Sequence, residues 1–263
     1  EFQFIVNFTE KAMMINHENH SYIYAHRGAT KYAAENTRLA FNKALKQKAE
    51  GIETDVQLTK DKVPIIYHDR LMEQLGYPSN HICDFTFTQL EQLNFSSYCQ
   101  SVDAEGPITL KEFINSYRNK SRLLIEIKHR AWEDTSSAQI KIRQCLDIIG
   151  KTQNNDIVIS SFSIICLEYA HQLSTQIPLI YNFRDAHSFF DVKNILARYS
   201  FLNGVCLPIH TLDTSLMHFL RNANKLVLTY GDKTHRDINK ALYFKVDMLI
   251  TDDLETALKK RGE

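Results

Sequence analysis

Short apolar runs alternate with longer amphipathic segments along most of this chain. The runs are rich in β-branched residues, which is typical of strands, whereas the segments between them repeat their apolar residues at helical spacing. The predicted strands are residues 22–25, 51–55, 123–127, 157–161, 178–181, 204–207, 226–229 and 248–251. The predicted helices are residues 37–48, 110–119, 138–149, 164–172, 188–198, 215–222, 238–244 and 254–260. Eight strands, each followed by a helix, predict a (β/α)8 TIM barrel of the α/β class. An open doubly wound sheet is the alternative, but no glycine-rich phosphate loop follows the first strand.

One further apolar run, residues 63–67, does not fit this alternation. It follows the second strand after only four residues, too few for a parallel crossover, so we expect an antiparallel hairpin arm. A four-residue loop places Leu58 opposite Val63 and His68 opposite Glu53. Because directly opposed residues share a face of the sheet, this register predicts that His68 lies beside the acidic residues of the second strand.

The domain organisation follows from these elements. Residues 1–21 are predicted to be an N-terminal extension, and residues 22–263 to form one barrel domain. Residues 70–106 carry turn chemistry and one short helix-like piece at 88–93, so we interpret them as an insertion between the second strand and its helix. Insertions on this side of a barrel usually shape the substrate mouth.

Composition and charge limit the classes of binding partner and the cellular location that this chain is expected to have. The 263 residues carry 31 basic and 31 acidic side chains with no basic run, which argues against nucleic acid as a partner. Membrane insertion is not expected, since no apolar stretch has the ~18 residues of a spanning helix. The five scattered cysteines are typical of a reducing compartment, so a cytoplasmic location is predicted. Because Glu1 is not an initiator methionine, the alternative is a soluble domain excised from a membrane-anchored protein. The oligomeric state is not predicted.

Strong polar chemistry is concentrated at strand ends in the first seventy residues. His26 and Arg27 close the first strand, Glu53 and Asp55 lie two apart on the second, and His68 follows the hairpin arm. Two acids on one face of a buried strand repel each other unless a cation lies between them; the alternative is that both face solvent beyond the strand end. Two imidazoles, an arginine and a cation site are the minimum set for metal-assisted cleavage of a phosphate ester.

Later strands add further candidates. Glu126 offers a third oxygen ligand for Mg²⁺ or Ca²⁺, and Lys128 a charge facing the phosphate, unless the two form a buried ion pair instead. Phe162 and Tyr230, each at the end of a strand, are predicted to line the substrate pocket, although Phe162 is equally explained as a core residue.

The first helix begins near two polar residues. Glu35 is placed to orient Arg27 through a charge-assisted hydrogen bond, whereas Asn36 is predicted to be the N-cap of the first helix.

These motifs resemble those of the glycerophosphodiester phosphodiesterase family. The matching segments are His26-Arg27-Gly28, Glu35-Asn36-Thr37, Glu53-Thr54-Asp55-Val56-Gln57-Leu58-Thr59-Lys60-Asp61, His68-Asp69 and Glu126-Ile127-Lys128. The resemblance covers most of residues 25–252. It implies a TIM barrel, one divalent cation held by Glu53, Asp55 and Glu126, and His26 and His68 as the acid–base pair.

The resemblance and the residue set together predict a metal-dependent phosphodiesterase. It would hydrolyse a glycerophosphodiester to glycerol 3-phosphate and an alcohol. The alternatives are a lysophospholipase D-like or phosphoinositide-type phosphodiesterase of the same fold, or a non-catalytic anion-binding barrel.

Overall fold

The protein is a closed barrel of eight parallel strands surrounded by helices, as the computed structural model shows for residues 20–99, 103–151, 156–174 and 176–262. The strands are β1 (Tyr22–His26), β2 (Gly51–Leu58), β3 (Pro64–Ile66), β4 (Arg122–Ile127), β5 (Ile157–Ser161), β6 (Leu179–Asn182), β7 (Gly204–Pro208), β8 (Leu226–Tyr230) and β9 (Met248–Thr251). The helices are α1 (Arg38–Lys46), α2 (Phe87–Leu90), α3 (Leu110–Tyr117), α4 (Thr135–Ile149), α5 (Ile164–Leu173), α6 (Phe189–Arg198), α7 (Thr214–Asn222), α8 (His235–Tyr243) and α9 (Leu254–Gly262). Pairing of β1 with both β2 and β9 closes the barrel, which confirms the predicted fold.

Besides α2, which Thr86 caps, six of the described helices begin at a side chain that caps them. The hydroxyl or carboxylate of the cap accepts a hydrogen bond from a backbone N–H of the first turn, and the caps are Thr37, Thr109, Asp134, Ser188, Asp213 and Thr234. Each such cap stabilises its helix by about 1 kcal/mol.

Apolar residues fill the barrel on both sides of its wall. The larger core lies between strands and helices, and a smaller one fills the interior with Tyr24, Leu124, Val158, Ile180, Cys206, Leu228, Met248 and Ile250. Side chains alternate along a strand, so the residue two positions after an interior one also points inward, nearer the carboxyl end. His26, Glu126, Ser160, Asn182, Tyr230 and Asp252 all stand two positions after a member of the interior core.

The hairpin arm β3 pairs antiparallel with β2, as predicted, but the predicted register is wrong by one residue. Leu58 lies opposite Pro64, not Val63. The turn is one residue shorter than expected, because Thr59 N donates to Val63 O and Lys62 adopts a left-handed backbone with φ of 65°. Three-residue hairpin loops commonly end on such a residue.

Residues 70–106 lie between β3 and α3, and their described part builds a small core of its own. Met72, Ile82, Leu90 and Phe95 pack with Ile65 of β3. Of the predicted N-terminal extension, residues 1–19 lie outside the described residues. Within the described ranges, no helix has the length and apolar character needed to cross a membrane.

Candidate active site

Three buried carboxylates meet at the carboxyl end of the barrel. Glu53 and Asp55 come from β2, and Glu126 comes from the neighbouring β4, where it pairs in register with Asp55. One oxygen of each lies within 4.8 Å of the other two. Glu53 and Asp55 are only 4% and 1% exposed, so the alternative of two solvent-facing acids is wrong. The cluster can hold a metal ion.

The two acids of β2 ionise differently. Burial and the neighbouring Asp55 carboxylate raise the pKa of Glu53 to about 8. Burial alone would also raise the pKa of Asp55, but the ammonium of Lys128 and the guanidinium of Arg27 outweigh it and hold the pKa below its usual value. The repulsion expected between the two acids therefore raises the pKa of Glu53 but does not raise that of Asp55. Asp55 is thus an ionised carboxylate paired with Lys128 and Arg27, whereas burial favours the protonated form of Glu53 against the opposing charges of His26 and Arg27.

Lys128 lies between two of the acids. Its Nζ is 2.8 Å from Asp55 Oδ1 and 2.6 Å from Glu126 Oε1, so the buried ion pair weighed from the sequence is present. These carboxylates raise the pKa of Lys128 against the opposing effect of burial. The backbone of Lys128 is fixed by Lys141 of α4, a fully buried lysine whose Nζ donates to the Lys128 carbonyl and to Glu133 Oε1.

Arg27 is held by acids on two sides. Its NH1 donates to Glu35 Oε2 at 2.9 Å, which confirms the predicted pairing, and its Nε lies 3.3 Å from Asp55 Oδ2. The next residue, Gly28, has φ of 91° and approaches α1 so closely that a Cβ would lie 2.6 Å from Ala40 Cβ. Glycine is required here by backbone geometry and by the packing of α1, not by a bound anion alone.

His26 is anchored at one ring nitrogen. Its Nδ1 lies 2.8 Å from Asp252 Oδ1, at the end of β9, and its Nε2 lies 4.0 Å from Glu53 Oε2. Burial opposes a charged imidazole, but the hydrogen bond to Asp252 and the charge of Glu53 outweigh it and raise the pKa of His26. Asp252 thereby leaves Nε2 as the nitrogen available for proton transfer.

His68 enters the site because the chain leaves the sheet after Ile66, not through the predicted register. Gln57 of β2 fixes this segment by donating to the carbonyls of Tyr67 and Asp69, and Arg130 donates to the carbonyl of His68. His68 Nδ1 lies 2.8 Å from Asp69 Oδ1, so this ring too presents Nε2 outward.

Asn36 is not the N-cap of α1; that position belongs to Thr37. Asn36 has φ of 57°, and its amide turns inward to donate to Asp55 Oδ2 at 3.1 Å while accepting from the Thr54 hydroxyl at 2.7 Å. Asparagine tolerates this left-handed backbone better than most residues. Residue type suggested a cap, whereas the structure shows a residue that orients a site carboxylate.

A cavity of about 150 Å³, the catalytic cavity, brings the predicted residues together. Its lining includes all the predicted site residues except the fully buried Asp55: His26, Arg27, Glu53, His68, Glu126, Lys128, Phe162 and Tyr230. Phe162 and Tyr230 meet edge to face with ring centroids 6.3 Å apart. Described residues of the insertion do not line it. Instead, Gln74, Phe95 and Tyr98 border a small separate recess beside Glu35.

Sequence reasoning missed three functional positions. Nothing in the pattern around Asp252 indicated that it anchors His26, and Asn36 was taken for a cap. Asn182 of β6 was not singled out, although it lines the catalytic cavity. The alternation of side chains along β6 would have identified Asn182, because it lies two residues after the buried Ile180 and so points into the barrel as well.

A closed (β/α)8 barrel with two anchored histidines, an arginine, a lysine and three carboxylates at one mouth defines a barrel hydrolase that acts on an anionic ester. The chain belongs to the Glycerophosphoryl diester phosphodiesterase family, whose sequence profile matches residues 26–256.

Individual relatives agree. A Bacillus subtilis protein named for glycerophosphodiester phosphodiesterase activity is 31% identical over 88% of this chain and 94% of its own length. The fold is similar to that of an Oleispira antarctica phosphodiesterase (TM-score 0.81, 22% identity, 93% of this chain and 98% of that one). It is also similar to a Thermotoga maritima glycerophosphodiester phosphodiesterase (TM-score 0.73, 22% identity, 92% and 98%).

Proposed function

We propose that this chain is a metal-dependent phosphodiesterase that hydrolyses glycerophosphodiesters to glycerol 3-phosphate and an alcohol. The observation that supports this most is one cavity lined by two histidines, His26 and His68, whose ring nitrogens are anchored by separate aspartates. Two such imidazoles can protonate one oxygen while deprotonating another, which is what cleavage of a diester requires.

Glu53, Asp55 and Glu126 are proposed to hold one divalent cation, Mg²⁺ or Ca²⁺. Their donor atoms are all oxygens, which these hard cations prefer. The raised pKa of Glu53 fits this assignment, because burial and the Asp55 carboxylate disfavour its charged form more than the neighbouring His26 and Arg27 favour it, and a bound cation would reverse that balance. When bound, the ion would stabilise negative charge on the phosphoryl oxygens.

The hydrogen bond between His26 Nδ1 and the Asp252 carboxylate stabilises a protonated ring, so His26 is assigned as the first acid and His68 as the first base. A glycerol hydroxyl next to the ester attacks phosphorus, and His68 takes its proton. The bond from phosphorus to the head-group oxygen breaks, and His26 donates its proton to that oxygen. Water then opens the resulting cyclic phosphate: His26 takes the water proton and His68 returns its proton to the glycerol oxygen.

The remaining residues bind the substrate. Arg27 and Lys128 line the cavity with positive charge and are proposed to contact the phosphate oxygens, while Phe162 and Tyr230 pack against carbon atoms of the substrate. The Oleispira antarctica phosphodiesterase was solved in complex with the product sn-glycerol-3-phosphate, which supports a small-molecule substrate here.

The test is turnover of glycerophosphocholine and of a chromogenic phosphodiester by the wild type, His26→Ala and His68→Ala. Each variant should lose at least 100-fold in kcat, because general acid–base catalysis contributes about 10²–10⁴-fold. His210→Ala, which replaces an exposed histidine outside the cavity, is the control and should retain full activity. Near-normal turnover by either site variant, with an unchanged circular dichroism spectrum, would remove that histidine from the mechanism.

A further inference from the structure

A second cavity lies beside the catalytic one, over the carboxyl end of β6 and the start of α6. Its volume is about 450 Å³, within the range of small-molecule sites, and it shares Phe162 and Asn182 with the catalytic cavity. Phe183, Arg184 and Asp191 also line it. We call this space the β6 cavity. No described residue of the 70–106 insertion lines it.

The buried amide of Asn182, at the junction of the two cavities, has one end without a partner. Asn182 is 5% exposed, and its Nδ2 lies 3.3 Å from Ser160 Oγ. Its Oδ1 accepts no hydrogen bond from any described residue. The Oδ1 and Nδ2 positions of the amide can be exchanged by a flip of the group. In either orientation Ser160 bonds only one of these atoms, so the other is available to a ligand. A hydroxyl group satisfies either end, because it both donates and accepts; a quaternary ammonium satisfies neither.

Arg184 places a positive charge at the same junction. Its guanidinium lies 4.8 Å from the ring centroid of Phe162, so the face of the shared aromatic is already covered by a cation. Arg184 is exposed and lines the β6 cavity, so its guanidinium is accessible to a ligand there. Asp191 also lines the cavity, where its Oδ2 caps α6 by accepting from the Ser188 N–H and hydroxyl at 2.7 Å and stays ionised. The charge against Phe162, at the junction of the two cavities, is that of Arg184.

The wall between the cavities is held in place by the protein itself. Tyr230, which lines the catalytic cavity, donates its hydroxyl to the carbonyl of Phe183 at 2.7 Å, and its ring meets Phe162 edge to face. Because Phe162 and Asn182 line both cavities, a substrate with its phosphorus between the histidines is expected to extend past these two residues into the β6 cavity.

We propose that the β6 cavity binds the alcohol part of the diester and selects a polyhydroxylated head group over a quaternary ammonium one. This inference rests on the proposed function, which places the phosphate in the catalytic cavity. Asn182 bonds one hydroxyl of the head group, and Arg184 donates to another while repelling a cationic head group. Head-group choice then lies in the segment after β6, not in the insertion that the sequence favoured.

The test compares kcat/KM for glycerophosphoglycerol and glycerophosphocholine, because the ratio of the two is independent of the active fraction of each preparation. The wild type should prefer glycerophosphoglycerol by about tenfold. Arg184→Glu should lower that ratio at least tenfold, and Asn182→Leu should lower it by reducing turnover of the polyol substrate.

Two variants with the same charge change serve as controls. Lys193→Glu replaces an exposed lysine of α6 that lines neither cavity, and Arg70→Glu replaces an exposed arginine of the insertion. Both should keep the wild-type ratio. An unchanged ratio in Arg184→Glu overturns the inference, as does a shift of the ratio by Arg70→Glu alone. If the wild type hydrolyses both diesters while Arg184→Glu leaves the ratio unchanged, the proposed function stands and only the β6 assignment fails. If the wild type hydrolyses neither diester, the proposed function and the β6 assignment are both overturned.

Discussion

Metal binding at the three carboxylates should release a proton from Glu53. The pKa of Glu53 is about 8 in the metal-free protein, because burial and the Asp55 carboxylate disfavour its charged form. A carboxylate must be ionised to bind the cation, so the cation competes with this proton. Stripping the protein with a chelator and restoring Mg²⁺ or Ca²⁺ at different pH values therefore tests the site directly.

The magnitude follows from the pKa. A group with a pKa of about 8 is roughly nine-tenths protonated at pH 7, so about 0.9 proton should leave for each ion bound. The apparent dissociation constant should fall about tenfold from pH 6 to pH 7 and level off above pH 8. Asp55 contributes no proton in this range, because Lys128 and Arg27 keep its pKa below the usual 3.8.

Isothermal titration calorimetry in two buffers of different ionisation enthalpy counts the released protons. Glu53→Gln is the matched control, because it keeps the size of the side chain but cannot ionise; it should bind weakly and release no proton. A dissociation constant that is independent of pH, or wild-type affinity in Glu53→Gln, would refute the assignment. Full activity of the stripped enzyme would refute metal dependence.

The same pKa determines the pH dependence of folding without metal. The folded-state pKa of Glu53, about 8, lies above the reference value of 4.5, so the folded state binds the extra proton. Its contribution to stability is complete below about pH 4.5 and is lost as the pH rises toward 8. The melting temperature of the stripped protein should fall across that window, and Glu53→Gln should flatten the slope.

Two substitutions test residues that orient the site. Asp252→Asn keeps an acceptor for His26 but removes the charge; because the Asp252 side chain is 61% exposed, the effect is screened to about 1 kcal/mol. The alkaline limb of the kcat/KM profile should then move to lower pH by less than about one unit, and an unmoved limb would contradict the role of Asp252. Asn36→Gly keeps the left-handed backbone but removes the amide that binds Asp55, so urea unfolding should show a loss of about 2 kcal/mol and calorimetry about tenfold weaker metal binding. Wild-type values in both measurements would show that the amide is dispensable.

Much of this protein was determined locally by its sequence. Each strand run and helix was recognisable because apolar periodicity and capping residues act within a few positions of the chain. Once the barrel was predicted, its geometry brought the strand ends to one mouth, so His26, Glu53 and Glu126 could be placed together before any distance was known. The ion pairs Arg27–Glu35 and Lys128–Glu126 were also foreseeable from those positions.

What the tertiary structure decided depends on contacts between distant segments. The register of the hairpin depends on the left-handed backbone conformation of one residue, Lys62. Neither composition nor spacing reveals that conformation. Asp55 and Glu53 look alike in sequence. Lys128 nevertheless pairs with Asp55 and lowers its pKa, whereas burial raises the pKa of Glu53. The pairing of β5 with β6 brings Asn182 against Ser160 between two cavities, where one end of its amide is bonded and the other has no partner among the described residues. Electrostatic and hydrogen-bond energies vary steeply with distance and burial, so they are settled only when the packed structure fixes both.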